Sequence, residues 1–126
     1  MRRIASHYVY WKQLLRMHYV ELDEKENLVG VFPLNGEIAG TEFYDGILVP
    51  ALAEGEKMDR QGIEFSWAGN KNSLGIEFLT AALQKLNLPK PAEKGLPTQV
   101  LLVTLPLTSA KLSADNSRCN GYIKRL

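Results

Sequence analysis

Phe43-Tyr44-Asp45-Gly46-Ile47-Leu48-Val49-Pro50-Ala51-Leu52-Ala53-Glu54-Gly55-Glu56-Lys57-Met58-Asp59 is the stretch around which this chain is organised. An aromatic pair and a turn dipeptide lead into an apolar segment that ends in a charged run. Asp45-Gly46, between Phe43-Tyr44 and Ile47-Leu48-Val49, is a turn signal, because these residues tolerate the positive φ angles of tight hairpins. The apolar run reads as a strand, and Glu54 to Arg60 as a solvated loop. The stretch holds no His, Cys or Ser, so it carries no Ser or Cys nucleophile and no His or Cys metal ligand.

Upstream, the chain reads as β. Ala5 to Trp11 is aromatic and β-branched, which suits a pleated surface. Met17 to Leu22 alternates, with His18, Val20 and Leu22 on one face and Tyr19 and Glu21 on the other. Asp23-Glu24-Lys25-Glu26-Asn27 is a polar turn, and Leu28 to Leu34 a further strand whose Pro33 marks an edge or an exit. Asn35-Gly36 turns the chain again. If Trp11 and Met17 face each other across the first connection, His7 falls opposite Glu21.

Downstream, Ile63, Phe65 and Trp67 alternate in a short strand. Ser73 is an N-cap, and Ile76, Leu79, Leu83 and Leu86 repeat at three and four in one helical stripe. The spacing therefore predicts a helix over residues 73–88, stopped by Pro89 and Pro91. Thr98 to Leu105 is nearly unbroken in apolar character, which predicts a strand covered on both faces. Leu107 to Asn120 is polar with scattered leucines, and Asn120-Gly121 reads as a turn into a last strand, Tyr122 to Leu126. The fold class expected is mainly β with one α-helix, a small β-sandwich or barrel-like composite domain. It is built from the strands of residues 5–67 and 98–126 with the helix between them.

Composition limits the function classes. The chain has 126 residues, 45% hydrophobic and 23% charged, with a formal net charge of +1. A length of this order suits one domain with a real core. The balanced charge gives no support for a nucleic-acid or membrane-surface role, both of which favour a basic face. Met1-Arg2-Arg3 leads into no apolar run of signal-peptide type, and no segment approaches the ~18 apolar residues of a membrane span. The single Cys119 fits a reducing compartment. A cytoplasmic location is the expectation.

The order of the first half is similar to the N-terminus of amidohydrolase-superfamily metal-dependent hydrolases. The strand His7-Tyr8-Val9-Tyr10, the hairpin of Asp23 to Leu34 and the segment Gly46-Ile47-Leu48-Val49-Pro50 carry the likeness. In those enzymes the segment delivers a His-x-His metal motif, whereas here Ala51-Leu52-Ala53-Glu54-Gly55-Glu56-Lys57-Met58-Asp59 follows. The second half resembles their C-terminal end, through Asn72 to Leu88 (with Ser73-Leu74-Gly75-Ile76), Thr98 to Val103, and the closing segment Leu112 to Leu126. The two ends of such enzymes fold together into a small accessory β-sandwich beside a (β/α)₈ barrel that holds the metals. A barrel needs ~200 residues or more. The resemblance therefore implies a composite β-sandwich without the catalytic barrel and without enzymatic activity.

Each chemically suggestive residue has a plain structural reading beside it. His7 and His18 are the only histidines, and a metal site would need a third ligand such as Glu21, Asp23 or Cys119. Cys119 as a nucleophile would need a base as well as its neighbour Arg118. The acidic run Glu54, Glu56 and Asp59 reads as solvated surface, although it could in principle supply an acid–base pair. Neither G-x-x-x-x-G-K-[ST] nor G-x-G-x-x-G occurs. The aromatic set Tyr8, Tyr10, Trp11 and Tyr19 could stack a ligand or seed an interface. No catalytic, cofactor-binding or metal residue is assigned, and no cofactor is expected.

The function expected is a non-catalytic module acting through self-association, as a homo-oligomer, or through a protein partner, with neither nucleic acid nor membrane. A barrel's absence would leave an apolar patch for that purpose. The alternative is a small-molecule or metal-binding protein, or a minor hydrolase, with a site near His18, Glu21 and the Glu54–Asp59 loop. A third option is a component that joins a separately encoded hydrolase as its missing sandwich.

Overall fold

Val100-Leu101-Leu102-Val103 has no polar side to present to water, and the structure buries all four. A computed structural model describes residues 1–36, 38–53, 62–68, 83, 88–104 and 118–126, with 63–68 and 118–121 as backbone. The described strands are β1 (Arg2–Trp11), β2 (Gln13–Leu22), β3 (Leu28–Pro33), β4 (Thr41–Leu52), β5 (Ile63–Ala68), β6 (Thr98–Thr104) and β7 (Arg118–Arg125). In β6 every residue but the last is buried. The strands form a seven-stranded sheet in the order β3-β2-β1-β4-β6-β7-β5. Only the β1–β4 pairing is parallel. The chain is thus mainly β, and strands from its front and rear share one sheet through the β4–β6 ladder.

Alternation sorts the apolar side chains onto two sides. Ile47, Val49 and Ala51 of β4 join Leu101, Val103, Ile123 and Leu83 on what we call the outer side. Leu48 of β4 joins Ile4, Val9, Val20, Leu22, Leu28, Val100 and Leu102 on the inner side. The inner cluster draws on strands as far apart in the sheet as β3 and β6, so the sheet must curl round it. Backbone hydrogen bonds fasten that curl: Leu28 N–H donates to Leu96 O (3.1 Å), Gly95 N–H to Leu28 O (2.8 Å) and Thr98 N–H to Glu26 O (3.0 Å). The β2–β3 turn is thereby stitched to the segment entering β6, which gives the sandwich- and barrel-like form expected.

The Asp23–Asn27 turn is built by its first residue. The Asp23 carboxylate accepts hydrogen bonds from the backbone N–H of Lys25 (2.8 Å) and Asn27 (2.9 Å), an Asx arrangement that replaces missing ladder bonds. These bonds, that from Asn27 foremost, hold the Asp23 carboxyl below its ordinary pKa. Three local expectations need correction. Asp45-Gly46 is not a hairpin turn but a bulge within β4, where two residues span the gap opposite His7 alone (Ser6 pairs Tyr44, and Tyr8 pairs Ile47). Gly46 has φ 143°, and a Cβ there would meet Val103 O at 2.8 Å. The dipeptide's tolerance for positive φ is used, but β6 on the other side keeps the strand running.

Asn120-Gly121 likewise lies inside β7, paired with Ser66 and Phe65 of β5, where a continuous ladder overrides turn propensity. The first hairpin is tighter than a Trp11–Met17 pairing requires. Lys12, at φ 67°, reverses the chain, Trp11 pairs Gln13, and Arg3 rather than His7 faces Glu21. Of the helix expected over 73–88, Leu83 is helical and 1% exposed against the outer cluster, while Leu88 is not helical. The other residues of that helix lie outside those described, as do 54–60. Among the described residues no helix is long and apolar enough to cross a membrane.

The bulge can be tested by comparing glycines. Gly46→Ala adds a backbone clash to an unfavourable φ, whereas Gly40→Ala, at φ 77° with nothing near the added methyl, meets only the latter. Urea unfolding should show Gly46→Ala losing about 1–3 kcal/mol and more than Gly40→Ala; an equal loss would count against the close approach to β6.

Candidate functional site

The connection from β3 to β4 has to pass β2 and β1 to reach its place in the sheet. Residues 34–36 and 38–40 lie on that crossing, a strap over the sheet. Leu34 N–H donates to Met17 O (2.8 Å) at its start, and Thr41 N–H to Ile38 O (3.3 Å) at its end. Gly36 (φ 146°) and Gly40 (φ 77°) make the bends, which side chains with a Cβ would resist. Leu34, Ile38 and Ala39 of the strap and Ala5, Met17, Thr41 and Phe43 of the sheet line a groove of 680 Å³. Apart from the Thr41 hydroxyl, these side chains are apolar.

Two of these side chains stand out into solvent: Phe43 is 52% exposed and Met17 41%. Met17 also takes φ 51°, a sparsely populated region for a long side chain that persists only where neighbours hold it. The strap's hydrogen bond to its carbonyl is one such hold. The Phe43 ring and the exposed His7 ring meet in a T-shaped arrangement at 5.2 Å and 87°, so the groove's exposed aromatic residue is braced. The Thr41 hydroxyl oxygen is buried and, among the described residues, has no hydrogen-bond partner.

Polar chemistry lies mostly at the strand margins. The Arg2 guanidinium donates to both oxygens of Glu42 (2.6 and 3.1 Å), and the Tyr44 hydroxyl donates to Glu42 as well (3.0 Å). The hydrogen bonds from Arg2 hold the Glu42 carboxyl below its usual range, and the same pairing raises Arg2. Burial, then the bond to Glu42, pushes the Tyr44 phenol up. Arg3 pairs with Glu21 at 2.7 Å. The two arginines of the chain start thus clamp β1 to β4 on one side and to β2 on the other.

The residues singled out from sequence do not converge. Glu21 is 8% exposed and committed to Arg3. His18 shares its strand parity with the inner residues Val20 and Leu22, and its Nδ1 lies 2.7 Å from Arg16 O. The pair therefore faces opposite ways. Among the described residues no group of three His, Cys, Asp or Glu could hold a metal. The Glu54–Asp59 loop and the Cys119 side chain fall outside the description. The aromatic set divides: Tyr8 and Tyr10 pack on the outer cluster, Trp11 on the inner one with its Nε1 donating to Ala92 O (2.7 Å). Tyr19 packs on Phe32 at 5.5 Å. Sequence reasoning missed the groove residues Met17, Leu34, Ile38 and Phe43, whose only signals were the Asn35-Gly36 turn and an aromatic residue before the bulge.

No family model, curated protein or solved structure matches the chain.

The Arg2–Glu42 clamp makes a pH-dependent contribution. A carboxyl whose folded pKa is lowered adds stability above its unfolded pKa and loses it as pH falls through the folded value. Both side chains are more than a third exposed, so solvent screening limits the effect to under about 1 kcal/mol. In urea titrations Glu42→Gln should be less stable than wild type at pH 7, with the gap shrinking below about pH 4. A gap that stays constant into acid would assign the effect to packing.

Proposed function

We propose that this chain is a non-catalytic β module, similar to the accessory β-sandwich of amidohydrolase-superfamily hydrolases, that works through protein–protein contacts. The observation that carries the reading is the groove with its half-exposed Phe43 and Met17. Large apolar side chains grouped at a recess on a sheet face are costly in water unless a partner covers them. Aromatic residues and Met are the types enriched at the centres of interfaces. The joining of front and rear strands through β4 and β6 supports the likeness to the composite sandwich. Among the described residues His18 and Glu21 face opposite ways, which favours the interaction reading over the competing ligand or hydrolase site.

In an extract of its native cell the chain should elute well above its 14.1 kDa mass, and Phe43→Ser should move it toward that mass. Elution of the wild type as a 14.1 kDa species, unchanged by Phe43→Ser, would overturn the reading. So would stoichiometric zinc in the purified protein by elemental analysis, since a resident metal would restore the enzymatic alternative.

A further inference from the structure

The outer side near the bulge carries more than apolar atoms. Arg16 on β2 pairs with Tyr8, whose ring packs on the outer cluster, so Arg16 shares that face. Asp45, in the bulge of β4, lies between the outer residues Phe43 and Ile47 and shares it too. Both are exposed, and among the described residues neither makes an ion pair, the pairs there being Arg2–Glu42 and Arg3–Glu21. β1 runs between them. One charge of each sign therefore stands on either side of β1, Arg16 opposite Tyr8 and Asp45 in the gap opposite His7, about one residue apart along the strand and each one strand spacing, about 5 Å, from it.

That arrangement is self-complementary. Consider a two-fold axis parallel to β1 and lying above it. The operation turns a second copy face-to-face and exchanges left for right, so β2 of one copy lies over β4 of the other. Arg16 then meets Asp45 of the second copy, and Asp45 meets its Arg16. Phe43, which pairs with Ala5 on β1, is carried over the β2 side of the opposing groove, where Tyr19 pairs with the same Ala5 and Met17 and Leu34 line the wall. A protruding aromatic beside a recess, with opposite charges balanced about one line, is what an isologous interface requires.

Building on the protein–protein reading above, we propose that the partner is a second copy of this chain. The dimer packs outer side to outer side, with each Phe43 in the other's groove and Arg16–Asp45 pairs across the axis. The charges specify register and orientation, while the buried Phe43 and Met17 supply most of the affinity.

The test uses the purified full chain in size-exclusion chromatography with light scattering at ~100 μM, a concentration at which a micromolar dimer is populated. Wild type should show twice the 14.1 kDa chain mass. Asp45→Arg and Arg16→Asp should each weaken dimerisation at least tenfold through like-charge contacts, and the double exchange should restore it. Circular dichroism of each variant separates dissociation from unfolding, and the double exchange remains decisive if a single variant folds poorly. A monomeric wild type would overturn the second-copy proposal. A dimer indifferent to Phe43→Ser and to both charge reversals would overturn this geometry. If the purified chain is monomeric while the extract still shows a Phe43-dependent complex, the proposal fails and the broader reading stands.

Discussion

Gly46 passes so near β6 that a Cβ at that position would stand 2.8 Å from Val103 O. Much of the outer side follows from that approach. The extra residue it allows in β4 leaves His7 outside both ladders of β1. The buried Ser6 hydroxyl spans the gap, accepting from Tyr8 N–H (3.2 Å) and donating to Tyr8 O. Alternation on β1 slips there: Ala5 and Tyr8 both turn outward, Ile4 and Val9 both inward. β2 slips at the same level, where Met17 takes its positive φ and both Met17 and Leu14 turn outward. An irregularity in one strand is thus matched by its neighbours across three strands.

That line divides the outer side into two halves with different fates. Beyond it, Tyr8, Tyr10, Leu14, Ile47 and Val49 are packed with Leu83 and Leu88. Before it, Ala5, Phe43 and Met17 share a groove with the strap, which reaches across from β3. The strap's position is set by topology, because a parallel β1–β4 pairing with β3 on the far side of β2 requires the crossing. The groove is therefore a consequence of connection and bulge together, and neither feature alone would produce it.

This explains which parts of the molecule were legible in the sequence. Unbroken burial in Thr98 to Val103 and alternation in Met17 to Leu22 report the immediate environment of a strand, so they could be read locally. The Asp23–Asn27 turn is determined by its own side chains and was legible for the same reason. Asp45-Gly46 and Asn120-Gly121 carry genuine turn chemistry, yet their ladders with β1 and β7's partner β5 decide their conformation. Those partners are tens of residues away in sequence. The groove was illegible because its walls come from β1, β2, β4 and the strap, and Met17 on its own is an ordinary strand residue. Its unusual φ follows from tertiary pairing that no local pattern encodes.

The distribution of charge extends the same argument to function. A buried or half-buried charge must be paired to be tolerated, and Arg3–Glu21 and Arg2–Glu42 meet that condition at the margins of β1. The Glu21 carboxylate is thereby engaged by a guanidinium, which weakens it as a base and as a metal ligand. Arg16 and Asp45 are under no such demand in the monomer, where water solvates them. Their placement either side of β1, beside exposed apolar side chains, adds nothing to the stability of an isolated chain. It acquires an energetic role only when another surface removes that water, as a second copy turned about β1 would in the dimer proposed above.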